Sequence, residues 1–228
     1  MTRRDPRDPR DPLADAVAGY WDAASDAFDD EPDHGLRDPA AREAWARRLR
    51  AWVPDAPCDV LDLGCGTGSL GLLLAADGHR VTGVDLAPRM VARAREKFAA
   101  AGLGGRFVIG DAAAPPTGDE RFDVVLVRHM VWTLPEPEQA IRAWVARLRP
   151  GGRLVLVEGL WREAGDDAVP YVPGAERLPW GGGGVRARQL AAAVRSLVAD
   201  VHIEPLSDDP NLWGGPVRDE RYALLART

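Results

Sequence analysis

Apolar residues near the start of the chain recur at three-to-four spacing. Leu13, Val17, Tyr20, Trp21 and Phe28 form one set, and Trp45, Leu49 and Trp52 form another. That period predicts short helices over 13–28 and 40–53. Between them, Asp29-Asp30-Glu31-Pro32-Asp33-His34-Gly35 reads as a polar loop. Ahead of both, Pro6, Pro9 and Pro12 punctuate an Arg-Asp-Pro repeat, so residues 1–12 are expected to be a disordered tail. From residue 59 the period changes. Short apolar runs predict strands over 59–63, 80–85, 106–109, 122–127 and 153–158. Helical patterns over 70–77, 88–101 and 136–148 separate them, with Gly78 and Arg149-Pro150-Gly151-Gly152 as stops. The run 122–127 is almost wholly apolar, as a strand covered on both faces must be. Strand and helix in alternation predict an α/β fold around a parallel sheet. After residue 158 the pattern breaks. Residues 160–184, rich in Gly, Pro and Trp, read as an irregular insertion. A helix over 185–198 and strands over 201–206 and 220–226 follow, the strands forming an antiparallel edge.

Composition narrows the partners. The 228 residues suit one α/β domain with a small cap. Against 35 acidic residues stand 29 Lys and Arg, a net charge of −6. That balance argues against a nucleic-acid target and against an anionic membrane surface. No apolar run reaches membrane-spanning length, and no signal-type segment opens the sequence. Cys58 and Cys65 have no zinc-ligand spacing. A cytoplasmic protein acting on a small molecule, without metal, is expected.

The strongest local signal is Asp62-Leu63-Gly64-Cys65-Gly66-Thr67-Gly68, a glycine loop between a buried strand and a helix. Residues without Cβ permit a tight turn and close approach of a ligand to the backbone. Gly66, Gly68 and Gly71 also spell a dinucleotide fingerprint, with Asp85 placed for a ribose. Asp62 tips the balance away from a nicotinamide dinucleotide. A carboxylate there repels a pyrophosphate and favours a cationic amino acid moiety.

The stretch from Val60 to Gly68 resembles the first motif of class I S-adenosylmethionine-dependent methyltransferases. Val81-Thr82-Gly83-Val84-Asp85, Gly110-Asp111-Ala112, Phe122-Asp123-Val124-Val125 and Arg149-Pro150-Gly151-Gly152 resemble the family's later motifs, in its order. The segment 209–217 is similar to a tail of small-molecule enzymes of actinobacterial natural-product type. The resemblance implies a Rossmann-like seven-stranded sheet of order 3-2-1-4-5-7-6 with strand 7 antiparallel. It also implies a helical lid over 13–53 and a donor-binding domain over 54–228, with 160–184 on the substrate side. Its donor set maps to Tyr20, Asp62, Gly64, Gly66, Gly68, Asp85, Leu86, Asp111, Ala112 and Arg128. In that set Asp62 faces the methionyl end, Asp85 the ribose hydroxyls and Asp111 the adenine amine. S-adenosylhomocysteine would be the product.

Ligands of open parallel sheets meet residues just past the carboxyl ends of strands. His129 stands there, after the fourth strand, and imidazole titrates near neutral pH. His129 is therefore a candidate base, and His34, on the expected lid, is the other. Trp21, Trp132, Trp161, Trp180 and Trp213 lie in lid or post-strand segments, where ligand pockets gather, and are expected on the acceptor side with these histidines. Flat apolar walls suit an aromatic or heteroaromatic metabolite, methylated on O, N or C, as in natural-product tailoring. A non-catalytic regulatory or scaffold protein that merely binds the donor is the alternative. The intact donor set favours the enzyme.

Overall fold

The computed structural model describes residues 12–161, 170–180 and 183–228. The tail expected over 1–12, except Pro12, and parts of the 160–184 insertion lie outside them. Three helices come first: α1 (Pro12–Ala24), α2 (Pro32–Gly35) and α3 (Pro39–Trp52). Strands and helices then alternate: β1 (Asp59–Leu63), α4 (Ser69–Ala76), β2 (Arg80–Asp85), α5 (Pro88–Ala100), β3 (Arg106–Ile109), β4 (Phe122–Arg128), α6 (Pro137–Val145) and β5 (Leu148–Leu160). The chain finishes with α7 (Ala187–Arg195), β6 (Asp200–Pro205) and β7 (Glu220–Arg227).

The seven strands form one sheet of order β3-β2-β1-β4-β5-β7-β6. β1 to β5 pair in parallel, while β7 runs antiparallel to both β5 and β6. Fold and strand order agree with the expectation. Leu63 at the end of β1 is level with Val84 and Val127, so the carboxyl ends of β1, β2 and β4 stand side by side. Successive strand residues face opposite sides, and both sides are covered. Val60, Val124, Leu126, Val155 and Val157 pack under α3, α4 and α5. Leu61, Leu63, Val125, Val127 and Leu156 pack under α6 and α7.

Several boundaries differ from the sequence reading: the helix expected over 13–28 ends at Ala24, and the one expected over 185–198 covers Ala187–Arg195. β5 begins at Leu148, not 153, because Leu148 pairs with Phe122 before the register shifts. The helix predicted to 148 therefore stops at Val145. The expected polar loop 29–35 contains a 3-10 turn (Phe28–Asp30) and α2, with Pro32 at the first turn of the latter. The larger difference concerns the lid. α1 has no buried residue, whereas α3 buries Trp45, Leu49 and Trp52 in the core. The indole of Trp45 donates to the Leu212 carbonyl at 2.9 Å, and that of Trp52 to Glu204 at 2.7 Å. Asp38 caps α3 by accepting from the Ala40 amide at 2.8 Å. α3 is thus part of the body, and only the chain before it lies over the sheet's carboxyl edge.

Candidate active site

A cavity of about 860 Å³ opens at that edge. Its floor is the glycine loop. Gly64 has φ +67 and Gly66 φ +53, left-handed values that a side chain strains to adopt. A Cβ on Gly64 would also fall 2.8 Å from the Met130 sulfur. The loop amides have fixed partners: those of Gly64 and Cys65 donate to the Val84 carbonyl, and that of Gly66 to Asp85 Oδ2 at 2.8 Å.

Asp85, at the tip of β2, also accepts from the Ala87 amide through Oδ1, at 2.9 Å. The two bonds fix its carboxylate and leave each oxygen a further lone pair for a ligand diol. Burial raises its pKa despite those bonds. Asp62 is buried at 4% exposure, and among the described residues nothing hydrogen-bonds its carboxyl. Desolvation pushes it up to about 7, opposed by the charge of Arg128 and reinforced by that of Asp85. Arg128 ends β4. Its guanidinium lies 5.0 Å from the Trp45 ring centroid and donates to the Asp33 carbonyl. Asp111 stands exposed at the rim, where Oδ1 accepts from the Ala113 amide at 2.8 Å. Leu86 and Ala112 complete this side.

The opposite wall comes from α1 and α2. Leu13, Val17 and Trp21 face the cavity, as do Phe28 and His34. The Phe28 and His34 rings stack at 4.3 Å. Where α1 ends, this wall is tied to α5 and the glycine loop. Asp22 Oδ1 accepts from the Arg89 amide at 2.8 Å, Asp26 pairs with Arg89 and Arg93, and Asp29 pairs with Lys97 at 2.8 Å while accepting from Thr67 at 2.5 Å.

His129 meets this wall. Its φ of +56 is one of two positive values at non-glycine residues among those described. Its ring lies 6.2 Å from that of His34, and Asp33 Oδ2 stands 3.9 Å from His129 Nδ1 and 3.8 Å from His34 Nε2. Desolvation holds both imidazoles below their ordinary pKa, His129 by far the more, and Arg128 acts in the same direction on each. Both are therefore neutral near pH 7. Asp33, His34 and His129 could together present one ligand atom each to a metal ion. The neighbouring guanidinium of Arg128 opposes a cation there, and His34 Nδ1 and His129 Nε2 lack the outer partners that metal-binding histidines use.

The structure thus gathers Trp21, His34, Asp62, Gly64, Gly66, Asp85, Leu86, Asp111, Ala112, Arg128 and His129 around one cavity. Six other expected residues stand off it. Gly68 caps α4 with its face toward Ala94. Tyr20 is 43% exposed, its ring against Trp21 and Tyr171. Trp132 turns its indole back onto the His129 carbonyl at 3.1 Å. Trp161 lies edge-on behind His129 at 4.5 Å, and Trp180 packs on the core beneath α6 and α7. The sixth, Trp213, lies off the cavity lining but stacks on His129 at 5.9 Å and carries Arg221 on its ring at 4.4 Å. Sequence reading missed Asp33, Phe28 and Glu158. Phe28 had a local signal, its place on an apolar helix stripe; the other contacts cross between elements distant in sequence.

Known proteins agree with this geometry. A family model described as a methyltransferase domain matches residues 60–152. The chain is 42% identical over 117 residues to demethylmenaquinone methyltransferase of Thermus thermophilus, covering 50% of this chain and 53% of that protein. It is 30% identical to 27-O-demethylrifamycin SV methyltransferase of Amycolatopsis mediterranei, covering 83% of this chain and 66% of that protein. The chain spans about half the length of the first curated relatives it matches. In fold it is similar to the crystal structure of the cyclase SpnF, with a TM-score of 0.73, 24% identity, and coverage of 96% and 97% of the two chains. No helix among the described residues is long and apolar enough to cross a membrane. With the matched domain, the strand order and the motif residues brought to one cavity, the chain belongs to the class I S-adenosylmethionine-dependent methyltransferases.

Proposed function

We propose that this protein transfers the methyl group of S-adenosylmethionine to a small, uncharged aromatic or heteroaromatic acceptor. The donor fits the residues present. Asp62, buried and unpaired, takes an ammonium, and Arg128 beside it takes a carboxylate. Asp85 takes the ribose hydroxyls, and Asp111 an amine at the rim. The donor supplies a methyl group already activated on a sulfonium. The chain's own task is alignment, exclusion of water and removal of a proton.

The observation that carries the reading is the meeting of His34 and His129, both kept neutral, on the cavity that holds the donor set. A neutral imidazole accepts the proton of a hydroxyl or ring N–H while the oxygen or nitrogen attacks the methyl carbon and the carbon–sulfur bond breaks. S-adenosylhomocysteine and the methylated acceptor are left. The walls support a flat apolar acceptor through Trp21, the Phe28–His34 stack, Val17 and Leu134. Charge supports a neutral one: the carboxyls of Asp22, Asp85 and Asp111 line the cavity, and Arg128 is assigned to the donor's own carboxylate. An anionic acceptor would meet net repulsion. The rifamycin-modifying relative is consistent with a tailoring role. We place the reaction in the cytoplasm, and α1 with α2 as its lid.

The test offers deuteromethyl-labelled S-adenosylmethionine with paired acceptors, neutral hydroxynaphthalenes and hydroxyindoles beside their carboxylated analogues. Mass spectrometry should find label in the neutral members only. Donor bound in calorimetry with no label transferred to any member would overturn the acceptor class. No donor binding at all would overturn the activity.

A further inference from the structure

Glu158 plays no part in the reaction as drawn above, yet it is the most completely enclosed carboxyl among the described residues, at 0% exposure. It sits near the end of β5, paired across to Tyr222 of β7. Its side chain reaches sideways, under the chain that leaves β4. Oε1 accepts from the Met130 amide at 2.8 Å and from the Val131 amide at 2.7 Å.

Those two amides need an acceptor because of His129. Its own amide still follows the sheet, donating to the Val157 carbonyl at 2.9 Å. Its φ of +56 then swings the chain out of the strand direction, so the next two N–H groups leave the ladder and enter the protein interior. A 3-10 turn (Val131–Thr133) begins there, and its first N–H groups have no partner within the turn. Glu158 supplies that partner from the neighbouring strand. The His129 carbonyl is held in turn by the Trp132 indole at 3.1 Å, and the Met130 carbonyl by the Thr133 hydroxyl at 2.7 Å. A left-handed non-glycine residue persists only where surrounding bonds over-determine it. Beyond His129 itself, whose amide is held by Val157, the bonds that Glu158 accepts are the ones that anchor the loop from outside.

We infer that Glu158 is a positioning residue: its carboxyl fixes the main chain after β4 and so sets the direction in which the His129 imidazole meets the acceptor. This rests on the reading of His129 as proton acceptor. Glutamine preserves the arrangement, since one amide oxygen accepts both N–H groups. Aspartate, one methylene shorter, reaches them poorly, and leucine not at all.

The test uses protein labelled at backbone nitrogen and at histidine carbon, saturated with S-adenosylhomocysteine, as wild type, E158Q, E158D and E158L. E158Q should keep Met130 and Val131 amide exchange within about threefold of wild type and leave the His129 ring resonances in place. In E158L those two amides should exchange at least about 100-fold faster and the His129 resonances should move, while S-adenosylhomocysteine affinity stays within about threefold. If E158L does not fold, E158D decides, with an expected exchange increase of about tenfold. Unchanged exchange and unchanged His129 resonances in the variant that folds would overturn the inference. The base reading fails separately: His129→Ala turning over at the wild-type rate would remove it while leaving the resonance test of Glu158 intact.

Discussion

Asp62 is the residue on which donor recognition turns. A buried carboxyl pushed up to about 7 is half protonated at neutral pH, and only its ionised form attracts the donor's ammonium. Donor affinity should therefore rise as pH climbs from about 6 to 8. Asp62→Asn should lose that dependence and bind about 1.5–3 kcal/mol more weakly, the range for a hydrogen bond involving a charged group. Titration calorimetry at three pH values checks both, and a flat wild-type profile would contradict the assignment. The place of Asp62, Gly64 and Gly66 on the cavity was legible in the sequence because one short segment encodes the strand and the turn together. His129 was legible through a rule about strand ends, although its left-handed backbone was not. Trp213 was expected on the acceptor side, but its stacking on His129 was not, nor was Glu158: the two reach His129 from 84 and 29 residues away along the chain, and no local pattern marks such contacts.

Among the elements, α1 and α3 had the same signature, an apolar stripe at helical spacing, yet one is surface and the other core. The difference lies in partners that the pattern does not contain. The Trp45 and Trp52 indoles find acceptors at Leu212 and Glu204, which the sheet's last strands bring into reach. α1 finds Val172, Ala175 and Leu178 instead, against partly buried Leu13, Ala16 and Val17. Helices with few fully buried contacts open at low free-energy cost. Amides of α1 should exchange fast in the free protein and slow when S-adenosylhomocysteine is added, while those of α3 stay protected throughout. Equal protection of α1 in both states would remove its lid role. Asp26, just past the carboxyl end of α1, pairs with Arg89 and Arg93, so exchange should quicken toward the other end of the helix if it opens as proposed.

For the whole molecule, the buried acids and the half-buried histidines pull stability in opposite directions. Asp62 and Glu158, pushed up to about 7 and about 8, hold protons in the native state that the unfolded chain releases above pH ~4–4.5. Their contribution is complete below that value and is lost as pH rises through 7 and 8. His34 and His129, shifted downward, contribute stability that is gained as pH rises toward ~6.5 and is constant above it. Between pH ~6.5 and ~8 the acids alone remain, so stability should fall, by up to ~1.4 kcal/mol per pH unit for each proton involved. Urea midpoints across this window measure the slope, and E158Q should flatten its upper half. A midpoint that rises instead would mean that neither carboxyl is protonated in the native state. The sheet's order carries one more consequence. β7, made after the other six strands of the sheet, is an interior strand between β5 and β6, and its Tyr222, Ala223 and Leu224 are enclosed. During synthesis the longest strand of the sheet, β5, must wait with its hydrogen-bonding edge bare until residues 220–227 clear the ribosome. The nascent chain therefore passes through a stage in which β5 is open to pairing with another polypeptide, and a translation stop just short of β7 would leave it there.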